Sequence, residues 1–199
     1  EQAIGELVDL DSFFKFWAVE GLLGFWDGYT ANSNNFFVYH SPTTDKFHFV
    51  PWGADCMFEK ISKLPVNRRA PLSVKTKGLI AHKLYQVPAA RERYARTLKA
   101  IMDEHWNEEL LLAETKRIES MVRPHLPPSQ ARRARFDGIR NFIRNRRSDI
   151  EKETAEGMPI WTAKPAEPPL IALPNGRGGR GGRGGRGGGR PEQNADTLF

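Results

Sequence analysis

Asp27 and Asp55 are the two carboxylates whose setting in this chain could do chemistry. Between them lie Asn32, Asn34 and Asn35, an aromatic run Phe36–Tyr39, a stretch of turn-forming residues, and a second run Phe47–Val50. The order is acid, amides, strand, turn, strand, acid. Phosphoryl transfer uses such an order. The first Asp can accept or orient a hydroxyl proton. An Asn just before a strand and an Asp just after a hairpin can hold a divalent cation against phosphate oxygens. Mg²⁺ favours hard oxygen ligands of this kind and keeps several waters. Each residue also has a plainer reading. Asp27-Gly28 is an ordinary turn pair, the asparagines can form a polar turn, and Asp55 can cap the segment after it.

These residues need elements to position them. Residues 9 to 24 read as a helix capped by Asp9 or Asp11, with Phe13, Phe16, Trp17, Glu20 and Leu23 at helical spacing. Gly24 and Gly28 break the pattern. Phe36–Tyr39 and Phe47–Val50 flank turn chemistry at 40 to 46, which predicts a β-hairpin ended by Pro51. Alternation puts His48 opposite Phe47 and Phe49, on a polar face. Trp26, Trp52, Phe36 and Phe49 read as core. Residues 60 to 75 form an irregular basic loop. Helices follow at 78 to 86, 89 to 106, 108 to 122 and 129 to 154, separated by Pro88 and by Pro124, Pro127 and Pro128. The last helix carries many arginines, Arg140, Arg144, Arg146 and Arg147 among them, which read as a solvated face. Cys56 has no basic partner nearby in sequence and reads as a buried residue.

Together the segment from Trp26 to Asp55 resembles the core motif of the CotH kinase family, atypical kinases named after a bacterial spore-coat protein. That family has a helix leading to an Asp, then Asn-Asn, an aromatic strand ending in Tyr, a turn, and a strand ending Pro-Trp-Asp-x-Asp. The helix Leu10–Glu20 and the segment Phe142–Ile150 fit as well. The resemblance spans roughly residues 8 to 155 and is most specific across 25 to 58. One position departs from it: the first Asp after Pro-Trp is Gly53 here, while Asp55 is kept. The fold class expected is α+β, mainly helical, an atypical protein-kinase-like C-lobe with a small catalytic β-hairpin.

The resemblance implies a protein Ser/Thr kinase that uses ATP and Mg²⁺ or Mn²⁺ on a Ser/Thr-containing protein substrate. Asp27 is then the catalytic residue, and Asn35 and Asp55 hold the metal and nucleotide phosphates. Asn35 directly precedes the strand. Asn32 is the fallback ligand, five residues after Asp27 as in ordinary protein kinases. No Gly-rich phosphate loop and no strand Lys paired with a helix Glu occur in the chain. The chain opens on Glu1 rather than Met, so the expectation is that the nucleotide-covering lobe lies upstream and that this stretch alone has little activity. Loss of the carboxylate at Gly53 keeps a second reading open, an inactive structural or surface-binding module on the same fold. Export or a spore-coat location rests on the resemblance alone.

Composition sets the frame. Of 199 residues, 12 are Phe and 5 are Trp, enough for a real aromatic core. The net charge is +6; five Arg against Glu192 and Asp196 place half of it in the last 25 residues. The remainder is not charged like a dedicated nucleic-acid binder. The expected organisation is a kinase-like lobe over 1–157, a Pro-rich extended linker over 158–175, and a disordered Gly/Arg-rich tail over 176–199. The tail could contact nucleic acid weakly, since arginine fits phosphates and stacks on bases. It lacks the interspersed Phe or Tyr that supply stacking, which favours a flexible tail. One cysteine excludes an intramolecular disulfide and a cysteine zinc site. No apolar run reaches the ~18 residues of a membrane span.

Overall fold

A computed structural model of the protein describes residues 1–60 and 70–162. A short helix, α1 (Gln2–Leu7), leads into α2 (Leu10–Leu23), on which the rest is built. The Asp9 carboxylate accepts from the Ser12 N–H at 2.8 Å and so satisfies one free amide of the first turn of α2. Gly24 ends the helix at φ +60°, where a side chain would be strained. Phe13, Phe14, Phe16, Trp17, Ala18 and Leu22 are all buried, so α2 runs through the core rather than over it.

A single turn, α3 (Tyr29–Asn32), follows. Then β1 (Phe36–Ser41) pairs antiparallel with β2 (Lys46–Pro51), Phe36 opposite Pro51 and Ser41 opposite Lys46. The expected hairpin is therefore present and two residues longer in each strand. An isolated two-stranded hairpin is marginal in water, so it needs packing. Phe36 and Phe49 supply it. Their rings stack at 5.7 Å, and Phe49 sits 5.1 Å from Phe13 and 4.9 Å from Tyr29. The other face carries Phe37, Tyr39 and Val50, which stay exposed. His48 pairs with Tyr39 and lies on this face, opposite Phe47 and Phe49 as expected, together with Ser41 and Lys46. Trp52 is 61% exposed and leans on Phe37, which corrects its assignment to the core. Its residue lies past the end of β2, beyond the helices that could cover it.

The remaining elements are helices: α4 (Leu79–Tyr85), α5 (Pro88–His105), α6 (Glu108–Val122), the single turn α7 (Pro128–Ala131), and α8 (Phe136–Glu153). The expected helix at 129 to 154 is therefore two pieces. Its amides at 133 and 134 bond back to Gln130 as the turn closes, and Arg135 pairs with Glu59 before α8 begins. α5 packs across α2, with Tyr94 buried and its ring 4.4 Å from Trp17.

Arg146 corrects the reading of α8 as a solvated basic face. It is 2% exposed and lies at the C-terminal end of α2. Its guanidinium donates to the carbonyls of Leu22 at 2.8 Å, Leu72 at 2.9 Å, and Gly21. A cation suits the unpaired carbonyls at a helix C-terminus. Burial lowers its pKa to about 10, so the group stays charged at neutral pH. Arg147 and Arg140 are paired as well, with Asp103 and Glu108 and with Glu119 and Asp137. Among the described residues no helix is long and apolar enough to cross a membrane. The first residues of the expected linker pack on the domain: the Tyr85 hydroxyl donates to the Pro159 carbonyl at 2.6 Å, and Met158 and Trp161 rest against the core. The linker from residue 163 on, the expected tail, and residues 61–69 of the basic loop lie outside the described residues.

Candidate active site

The loop from Phe25 to Gly28 sits between α2 and α3 and carries Asp27. Its carboxylate is half-buried, and three side-chain amides converge on it. Asn32 Nδ2 donates to Oδ1 at 2.6 Å and Asn35 Nδ2 to Oδ2 at 2.8 Å. Asn34 Nδ2 is shared between both oxygens at 3.3 Å. A carboxylate offers about four acceptor positions, and these amides address all of them. Among the described residues every donor is neutral, so there the charge on Asp27 is oriented without being cancelled by a Lys or Arg. Two of the residues that shape the cage take positive φ, Ser33 at 54° and Asn35 at 50°. Asn tolerates that conformation because its short polar side chain bonds locally. The kinase-type order and the family resemblance grouped Asp27, Asn32 and Asn35, and the structure gives Asn34, the third amide of the cluster, the same partner.

Asp55 reaches the same neighbourhood through the backbone. The Trp26 N–H donates to the Cys56 carbonyl at 3.3 Å, the Trp52 N–H to the Asn35 carbonyl at 2.9 Å, and the Phe58 N–H to the Leu23 carbonyl at 2.8 Å. The loop after β2 is thus laid along residues 23 to 27. The Asp55 residue is exposed, and its carboxylate makes no hydrogen bond or ion pair among the described residues. Asn35 and Asp55 are therefore neighbours by chain path, not bonded partners. Asn35 commits its Nδ2 to Asp27. Its amide group lies against Gly53: a Cβ built there would stand 3.2 Å from the amide carbon and Oδ1 and 3.5 Å from Nδ2. A carboxylate at position 53 would have stood beside the Asn35 amide. Gly53 has φ +55°, so the backbone there suits Gly, Asn or Asp.

Comparison with known families matches residues 1–151 to a family described as CotH kinase protein. The chain belongs to the CotH kinase family. No curated protein matches it. Membership in the CotH family makes the chain kinase-like.

Sequence reasoning missed Glu20. It was one of several residues at helical spacing on α2, and its signal was a lone carboxylate among Phe16, Trp17 and Leu23. Glu20 is 2% exposed. Its Oε1 accepts the Tyr29 N–H at 3.0 Å, and its Oε2 accepts the Thr30 N–H at 2.8 Å and the Thr30 hydroxyl at 2.6 Å. These are the free amides of the first turn of α3. Gly28 lies against the carboxyl group, and a Cβ there would overlap it. Burial pushes the Glu20 pKa up to about 7, against the opposing pull of the Thr30 hydroxyl and the two amides. Desolvation outweighs three hydrogen bonds because two of the donors are neutral peptide groups and the third is a neutral hydroxyl.

Proposed function

We propose that the protein is a metal-dependent kinase that transfers the ATP γ-phosphate to a Ser or Thr hydroxyl of a protein substrate. The observation that carries this reading is the convergence of Asn32, Asn34 and Asn35 on the Asp27 carboxylate. Asp27 accepts the hydroxyl proton as the new O–P bond forms and the bond to the leaving nucleoside diphosphate breaks. Phosphoryl transfer asks the protein mainly for positioning and charge placement. Asn32 and Asn35 do the positioning through short bonds. Asn34, exposed and 3.3 Å from both oxygens, is the donor that yields its place to an incoming hydroxyl.

The donor chemistry fits a divalent cation of the Mg²⁺ type. Asn35 Oδ1 and the Asp55 carboxylate are hard oxygen ligands, and such ions bind through one or two carboxylates together with substrate phosphates. When bound, the ion would neutralise phosphate charge. Asn35 is the ligand choice because it directly precedes β1 and its backbone is tied to Trp52, at the start of the loop that carries Asp55, with Asn32 the alternative.

Gly53 supports a second reading, an inactive structural or surface-binding module on the same fold, because it leaves no side chain beside Asn35. Calorimetry with MgATP and a phosphate-transfer assay on the full-length protein separate the two. Binding and transfer, both weakened by Asp55→Ala, support the kinase. Binding that never leads to transfer supports the scaffold.

A further inference from the structure

α3 is a single turn of four residues, and a turn that short does not hold itself. Its N-cap, Gly28, offers no side-chain acceptor. Yet Asp27 precedes this turn and Asn32 ends it, so its position fixes both halves of the Asp27–Asn32 bond. Two anchors hold it. On one side the Glu20 carboxyl takes the amides of Tyr29 and Thr30 and the Thr30 hydroxyl. On the other the Lys77 N–H donates to the Thr30 carbonyl at 2.7 Å, and the Ile80 N–H to the Tyr29 phenol oxygen at 3.0 Å.

We propose that Glu20 is the positioning residue of the Asp27 site, holding α3 so that the Asp27 carboxylate and the three asparagine amides share one frame. The proposal deepens the kinase reading and rests on it for its catalytic consequence. Glu20 does not touch the reacting atoms. It acts through Thr30 and Tyr29. Its grip depends on charge, because a carboxylate accepts more strongly than a protonated acid. The ionisable groups that feel its charge are Tyr29 on α3 and Tyr94 on α5, and the Arg146 guanidinium of α8 sits one residue along, on the Gly21 carbonyl. Lys15 and Glu20 border the same cavity of 350 Å³ between α2, Phe49 and the loop after β2. Burial already places its titration near neutral pH.

The test uses the full-length protein and two readouts. In the first, the Nδ2–H₂ signals of Asn32 and Asn35 are followed by NMR from pH 5.5 to 8.5. They should move with a midpoint near 7 in the wild type and stop titrating in Glu20→Gln. Thr30→Val, which keeps both amide bonds and removes a hydroxyl that holds the pKa down, should raise the midpoint. That variant keeps the test decisive if Glu20→Gln does not fold. In the second, kcat for phosphate transfer should fall by about 10²-fold in Glu20→Gln, with little change in KM for MgATP. Asparagine signals that titrate identically in wild type and Glu20→Gln, or a midpoint unmoved in Thr30→Val, overturn the proposal. Titrating signals in a protein that never transfers phosphate uphold the positioning role and remove the kinase reading instead.

Discussion

Replacing Glu20 by Gln should change how stability depends on pH, and the size of the change follows from burial. In the folded chain the acid titrates at about 7, against 4.5 for an ordinary Glu. The native state therefore binds more protons than the unfolded state between these values. Stability from this group is fully present below pH 4.5, falls through the window up to pH 7, and is level above it. The slope is about 1.4 kcal/mol per pH unit, so the whole window is worth roughly 3 kcal/mol. Lys75, pulled down to about 8 by burial, titrates at the upper edge of the range in both proteins. Tyr29 is pushed up to about 12 and Tyr94 further. Glu119 and Asp137 are held below their usual range by Arg140. Gln cannot titrate, and the difference between the wild-type and Glu20→Gln curves cancels what the two share. Urea unfolding at half-unit steps from pH 4.5 to 8 measures it. With an m-value of about 2 kcal/mol/M, the wild-type midpoint should drop relative to the variant by about 1.5 M across the window. A flat difference curve would show that Glu20 has an ordinary pKa, and that its burial is not setting its charge.

Three further outcomes are expected. Gly28→Ala should destabilise the protein by about 1–3 kcal/mol in urea unfolding, because the added methyl overlaps the buried Glu20 carboxyl. Arg146→Met should cost about 2–4 kcal/mol by thermal or urea unfolding, since it strips the donor from the Gly21, Leu22 and Leu72 carbonyls while relieving the burial of a charge. Gly53→Asp should tighten Mg²⁺ binding measured by calorimetry, because the new carboxylate stands beside Asn35 Oδ1 on a backbone that Asp tolerates.

What was legible in the sequence is what local chemistry decides. Asp9 announces the start of α2, Gly24 its end, and the two aromatic runs around Pro42 and Asp45 announce the hairpin. The order of acid, amides and strand, with the family resemblance, was enough to group Asp27 with Asn32 and Asn35. What stayed hidden depends on distant partners. Arg146 falls on the apolar stripe of Phe142, Ile143 and Ile150, where Arg144 does not, but the carbonyls of Gly21, Leu22 and Leu72 that receive its guanidinium lie 74 to 125 residues earlier. Glu20 matched the helical stripe in position, and only the turn of α3 across from it reveals why a carboxyl is there. Trp52 looked like core because Trp usually is. Its place beyond the last pair of the hairpin is a fact of tertiary structure. The break before α8 likewise has no glycine or proline of its own between 129 and 135.

The central claim is that Asp27 takes the substrate proton. Its most direct test is γ-phosphate transfer to Ser/Thr by full-length wild type and Asp27→Asn, with hydrogen exchange on both to confirm a shared fold. The account predicts transfer by the wild type, loss of about 10²-fold or more in kcat for Asp27→Asn, and unchanged protection of α2 and the hairpin. Equal transfer by both proteins would contradict it.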